Sequence, residues 1–273
     1  MTTRIFVTNP AQVEAETGSL MFPRILSHNL ASQTGAIVTA GAAAGFPAIA
    51  ARSDNTYERW RPSEMPAAWH LDIGSAQPCN ACAIAAHDLA AVGARVIPQW
   101  SPNGLDPWTW LSDEITITTT GPLLFLFPAA TQRFFRLHVA GPAPPTIGHI
   151  RFGVVSTLEH GIAGPHVPID YARRVVVSPS RSEGGQWLGA SVRRIGQRSD
   201  VQISGLTWDW WRTHGDPFVR EARDRARPFF FAWNPARAPQ DVAYCTLDAD
   251  VDPAHRAGDL VDVTLSLSGF AGP

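Results

Sequence analysis

Trp69-His-Leu-Asp-Ile-Gly74 alternates apolar with polar residues and stops at a glycine. A period of two is the mark of a strand with one face buried, and Trp69 reads as a core residue. The same kind of pattern recurs in Phe135-Arg-Leu-His-Val139 and Ile147-Gly-His-Ile-Arg-Phe-Gly153. Around them lie strand candidates at 36–39, 68–73, 81–87, 95–100, 114–119, 123–127, 133–140 and 147–155. They are separated by turn sequences such as Pro102-Asn-Gly104 and Gly141-Pro-Ala-Pro-Pro145. Pro66 and Pro98 point to edges or bulges, since proline cannot donate to a ladder. Many short strands joined by turns predict an all-β architecture, here a two-sheet sandwich.

Composition narrows the function. With 273 residues the chain can hold one large domain or two ordinary ones, and its net charge of -2 gives no electrostatic case for nucleic acid. All 22 cationic residues are arginine, scattered among acidic neighbours as on ordinary solvated faces. The opening Met1-Thr-Thr-Arg-Ile-Phe-Val lacks a basic region followed by a sustained apolar stretch, so no secretory signal is expected. The longest apolar run, Leu123 to Phe127, is broken by Pro128, and no membrane insertion is expected. Three cysteines make no disulfide framework, and Cys79-Asn-Ala-Cys82 stands without a second pair; they read as small buried residues. No cofactor is expected.

A Gly- and Pro-bearing stretch at 157–168 reads as a linker between a first domain, 1–156, and a second, 169–273. The second half predicts strands at 173–178, 187–197, 201–204, 229–233, 242–247 and 260–268. A helix is expected to begin with Asp216 as N-cap and Pro217 at the first helical position, and to end before Pro228. In the last strand Val261, Val263, Leu265 and Leu267 share one face, and Asp262, Thr264, Ser266 and Ser268 the other. Phe229, Phe230 and Phe231 in succession put aromatic bulk on both faces of one strand, so both faces need cover.

No residue set converges on a catalytic pattern: there is no Gly-x-Ser-x-Gly elbow, no His-Glu-x-x-His and no phosphate-binding Gly-x-x-x-x-Gly-Lys loop. Asp113 and Glu114 are adjacent, hence on opposite faces of a strand, and do not form a glycosidase pair. His87, His138 and His149 read as ordinary hydrogen-bonded residues rather than metal ligands. Among ten Trp residues, Trp108 and Trp110 beside Pro107 divide evenly between core packing and stacking on a sugar. Asp106, Asn103 and Arg61 could add directional hydrogen bonds around such a ligand.

The ordered set of Trp-x-Leu-Asp-Ile-Gly strand, apolar strand, Trp-bearing turn and late Phe-Arg-Leu strand resembles the galactose-binding-like jelly roll over about residues 24–156. That β-sandwich is common in carbohydrate-binding modules and cell-surface adhesins, and the resemblance implies binding rather than catalysis. Residues 165–273 carry a different order: Ser182-Glu-Gly-Gly-Gln-Trp-Leu-Gly189, the basic strand Ser191-Val-Arg-Arg-Ile-Gly196, Trp208-Asp-Trp-Trp211, a helix, Arg227-Pro-Phe-Phe-Phe231 and the closing strand. This resembles the ring-forming β-barrel domain of tailed-phage distal tail and related minor tail or baseplate proteins.

The second resemblance implies a structural virion protein at the tail tip, made in the host cytoplasm, with no enzymatic reaction. It implies a self-assembled ring of six-fold symmetry, with tube and hub proteins as further partners and the sandwich projecting outward. Many members of that family place the ring domain first, whereas here the sandwich comes first. On this reading Arg220, Arg223, Phe229, Phe230 and Phe231 are candidate assembly residues, and Ile5–Val7 is expected to add a strand to the second domain or to a neighbouring subunit. The alternative is a glycan-binding adhesin module attaching the particle to a host-surface glycan. A third reading is a carbohydrate-active enzyme.

Overall fold

The computed structural model describes residues 2–162 and 164–269; the side chains of Arg194 and Ile195, in the basic strand, lie outside the described residues. Among the described residues the chain is mostly β, with two eight-stranded sheets, a helix at Pro10–Thr17 and a longer helical passage in the second half. The first sheet runs Ile37–Thr39, Ala67–His87, Leu123–Ala140, Arg95–Ser101 and Thr109–Trp110. Ile5–Val7, Ile115–Thr116 and Ile147–Gly153 pair beside this path.

In the first sheet two pairs of expected strands are each one continuous strand, as are 187–197 and 201–204 in the second, which form Trp187–Thr207. Ala67–His87 turns a corner at Gly74, which has a positive φ of 79°. Its partner Leu123–Ala140 follows, with a register shift between Asp72 and Gln77. The doubled-back sheet makes the sandwich. Trp69, Leu71, Phe135 and Leu137 from one half meet Cys82, Ile84, Phe125 and Phe152 from the other, all essentially buried. Trp69 stacks on Phe152 at 6.4 Å and its Nε1 donates to the Ala48 carbonyl at 2.9 Å. A buried indole needs such a partner.

The second sheet runs Ser156–Thr157, Arg24–Leu26, Phe229–Ala232, Val242–Leu247, Leu260–Gly269, Trp187–Thr207 and Arg173–Arg181. It is open, and no closed barrel forms among the described residues. Arg24–Leu26, far upstream in sequence, pairs with Phe230–Ala232 inside this sheet. The closing strand keeps its alternation: Val261, Val263, Leu265 and Leu267 are buried.

Three expectations are corrected. Ile5–Val7 is not a strand of the second sheet; it pairs in parallel with Leu124–Leu126 of the first sheet. The helical passage begins at Trp208, not at Asp216. Thr207 is the N-cap, its Oγ1 accepting from Trp210 N at 3.1 Å and donating to Glu159 at 2.9 Å. Asp216 and Pro217 sit mid-helix, between two π-helical stretches, Trp211–Gly215 and Arg220–Asp224. The missing proline N–H accounts for the wider hydrogen-bonding beside it.

The third correction concerns Phe229, Phe230 and Phe231 as a surface between subunits. All three are buried within the chain. Phe229 and Phe231 share one buried core with the helix, where Phe218 stands edge-on to Phe229 at 4.8 Å. Phe230 faces the sandwich, against Ala81, Ala83, Ala85, Leu124 and Leu126. Small alanines on that outer face let the second sheet approach closely. The cover that three successive Phe residues demand is intramolecular.

One buried cation pins the two halves together. Arg151, 1% exposed, donates to the carbonyls of Leu26, Ser27 and Pro228 at 3.0 Å each and to Asp54 at 2.8 Å. Its Nε donates to His149 Nε2 at 3.2 Å, while His149 Nδ1 donates to the Ser53 carbonyl at 2.6 Å. Arginine can only donate, so this pairing fixes a neutral His149 with its proton on Nδ1.

Candidate functional site

The outward face of the folded-back sheet carries a groove. His70 and Asp72 are the polar positions of the opening motif; Phe134 and Arg136 alternate with buried Phe135 and Leu137 on the neighbouring strand. The register sets His70 opposite Arg136 and Asp72 opposite Phe134. Across the next strand the 101–110 loop folds over them.

That loop is built by one side chain. Asn103 Oδ1 accepts from the Ser101 hydroxyl at 2.9 Å and from Leu105 N at 3.0 Å, a local turn that short amide side chains favour. Gly104 follows with φ 77°, and a Cβ there would stand 3.0 Å from the Phe134 ring. Glycine satisfies both the backbone conformation and the close approach. The Arg133 guanidinium also lies against Phe134, 4.7 Å from its centroid. Arg133 is itself fixed by two 2.7 Å bonds to Asp72, whose carboxyl is held below its ordinary range mainly by that contact.

Trp108 forms the second aromatic wall. The Arg136 guanidinium lies over its ring at 4.3 Å, and His70 meets it edge-on at 5.4 Å. Arg136 is steered by Gln99 Oε1 at 2.6 Å, with Asp106 at 3.8 Å. Burial, then the charge of Arg136, pushes the His70 pKa down, so this histidine is neutral at neutral pH. The cavity bounded by Trp108, Phe134, Asn103, His70 and Thr39 holds about 370 Å³. A second cavity of about 430 Å³, bounded by Glu64, Ser63 and Gly41, shares Thr39 and His70 with it. Together they make an extended groove of a size that takes small ligands.

The expected residues divide. Asn103 and Trp108 line the groove, and Asp106 stands at its mouth, largely exposed and facing Arg136. Trp110 lies on the adjoining short strand, 59% exposed, outside the lining. Arg61 is exposed and lines neither cavity, though Pro62 beside it lines the second; its backbone pairs with Ala43 and Phe46. His70, Asp72 and Phe134 were not singled out from sequence. For the two polar residues the signal was the alternation of the opening motif itself. Arg220 and Arg223 pair within the chain, with Asp216 at 2.9 Å and Asp250 at 2.8 Å. Glu114 is tied to Arg95 at 2.8 Å. Among the described residues no His, Cys, Asp and Glu cluster is placed to hold a metal ion, and no helix is long and apolar enough to cross a membrane.

No protein-family model matches this chain, and no curated protein matches it. Solved structures do share part of its strand arrangement. CpGH89CBM32-6, produced by Clostridium perfringens, is 18% identical, with a TM-score of 0.40 over 46% of this chain and 98% of its own. A chitosan-binding module from a Paenibacillus sp. chitosanase/glucanase, in complex with chitotriose, is 18% identical, with a TM-score of 0.39 over 46% of this chain and all of its own. A Ruminococcus gnavus fucosidase is 17% identical, with a TM-score of 0.42, covering 55% of this chain and 29% of the enzyme.

Proposed function

We propose that the protein binds a glycan, with the Trp108–Phe134 groove as the site and no chemical step performed there. The observation that carries this is the pairing of two immobilised aromatic rings with polar groups in one extended groove. Ring faces cover the apolar C–H surface of a sugar, while Asn103, neutral His70 and Thr39 offer hydrogen bonds to its hydroxyls. The two joined cavities suit an oligosaccharide of more than one residue. An array of neutral oligosaccharides probed with the intact protein, and with Phe134→Ala, tests this. Selective signals lost in the variant support it, and a blank array for the intact protein counts against it.

A second reading is favoured by a separate feature. Arg173–Arg181 and Trp187–Thr207 form a long hairpin exposing Val175, Val176, Val177, Trp187, Leu188 and Val192. Its outer strand has a free edge among the described residues, and such an apolar edge is a template for pairing. On this reading the chain is a structural subunit of a virion tail tip, ringed through its second half and meeting tube and hub proteins. Light scattering across a concentration series tests it: a closed oligomer supports the reading, and a monomer at the highest concentration opposes it.

A further inference from the structure

A third cavity, about 710 Å³, lies between the two halves and shares no lining residue with the groove. Its charge is one-sided. Arg4, Arg59, Arg173 and Arg174 line it, against the single carboxylate of Asp170, which pairs with Arg4. Among the described residues Arg59, Arg173 and Arg174 make no ion pair. A guanidinium cannot shed its proton to relieve this crowding, so the cavity remains cationic at any working pH. Two phenol rings stand at its rim, Tyr57 at 91% and Tyr171 at 57% exposure.

The cavity wall is held in a costly backbone conformation. Ala86 has φ 54°, a left-handed value that non-glycine residues seldom adopt. It sits between the Ala85–His149 and His87–Ile147 pairs, opposite Gly148. A Cβ on Gly148 would stand 2.9 Å from that of Ala86. Such conformations persist only where the surroundings over-determine them, and they gather at ligand clamps.

We propose that this cavity binds a carboxylated saccharide. The guanidinium forks match a sugar carboxylate geometrically; the Tyr57 and Tyr171 rings cover a pyranose face; Thr56 and Gln197 reach its hydroxyls. A lone inorganic anion would leave most of 710 Å³ and both rings unused. The proposal is independent of the Trp108 groove.

Titration calorimetry on the full chain tests it, using trimannuronate, its fully methyl-esterified form, and polyphosphate. Binding of the free acid is expected, at least tenfold weaker in Arg59→Ala and Arg174→Ala, weakened by salt, and unchanged in Trp108→Ala. Both arginines lie outside the buried core, and thermal melts of the variants confirm that the fold is intact. Equal binding of the ester, tighter binding of polyphosphate, no binding of the acid, or indifference to both arginine substitutions would each overturn the proposal.

Discussion

Phe134 lies directly over Gly104, its ring 3.0 Å from the point a Cβ would occupy. The loop and the platform therefore depend on each other. Gly104→Ala adds a strained φ and displaces Phe134, with an expected cost of about 1–3 kcal/mol. Because the loop is on the surface, the fold should survive while oligosaccharide affinity falls. Paired denaturation and binding curves would show whether both effects occur; unchanged affinity would detach the loop from the site.

Phe230 supplies a cleaner contrast between burial and assembly. It is fully buried between the two sheets, near Tyr244 at 4.8 Å. Phe230→Ala should cost about 3–5 kcal/mol, as large-to-small core changes do. Chemical denaturation measures this directly. A variant as stable as the parent but altered in oligomeric state would restore Phe230 to an interface.

Arg151 donates to three carbonyls and one carboxylate without contact with solvent. Arg151→Leu strands those carbonyls and leaves Asp54 without its principal partner. A loss of about 3–5 kcal/mol is expected from breaking such a buried pair. It should appear as a lower denaturation midpoint, and a loss under about 1 kcal/mol would mean that water replaces the guanidinium readily.

Two buried histidines set an acid limb to stability. Burial lowers the pKa of His87 to about 4 and that of His149 to about 3. Unfolded, both titrate near 6.5. Below about pH 6.5 the unfolded chain takes up protons that the folded chain refuses, so stability is full above that pH and falls as pH drops. The expected slope is about 1.4 kcal/mol per pH unit for each histidine, from both down to about pH 4 and from His149 alone below it. Denaturation at a series of pH values reads the slope. His87→Gln should lower it by about 1.4 kcal/mol per pH unit between pH 6 and 4, and an unaltered slope would assign it to other groups.

Local pattern carried much of the fold. The alternation of Val261 to Leu267 and the burial of Trp69 follow from side-chain period and size alone. Three adjacent Phe residues show that both faces of a strand need cover, but the cover over Phe230 is a sandwich face more than a hundred residues upstream, set by long-range packing. The helix start was hidden for a related reason. Asp216-Pro217 mimics a helix N-terminus, whereas the actual cap, Thr207, is secured by Glu159, 48 residues away. At the site, Asn103, Asp106 and Trp108 were legible because they share one loop. His70 and Phe134 join them only through strand register, which a one-dimensional pattern does not specify.

The groove account stands or falls on one comparison. The tightest neutral oligosaccharide from the array is titrated into the intact protein and into Trp108→Ala. The account predicts at least a tenfold rise in Kd for the variant, about 1.4 kcal/mol or more, with the melting temperature little changed. An unchanged Kd in a folded Trp108→Ala protein would contradict it.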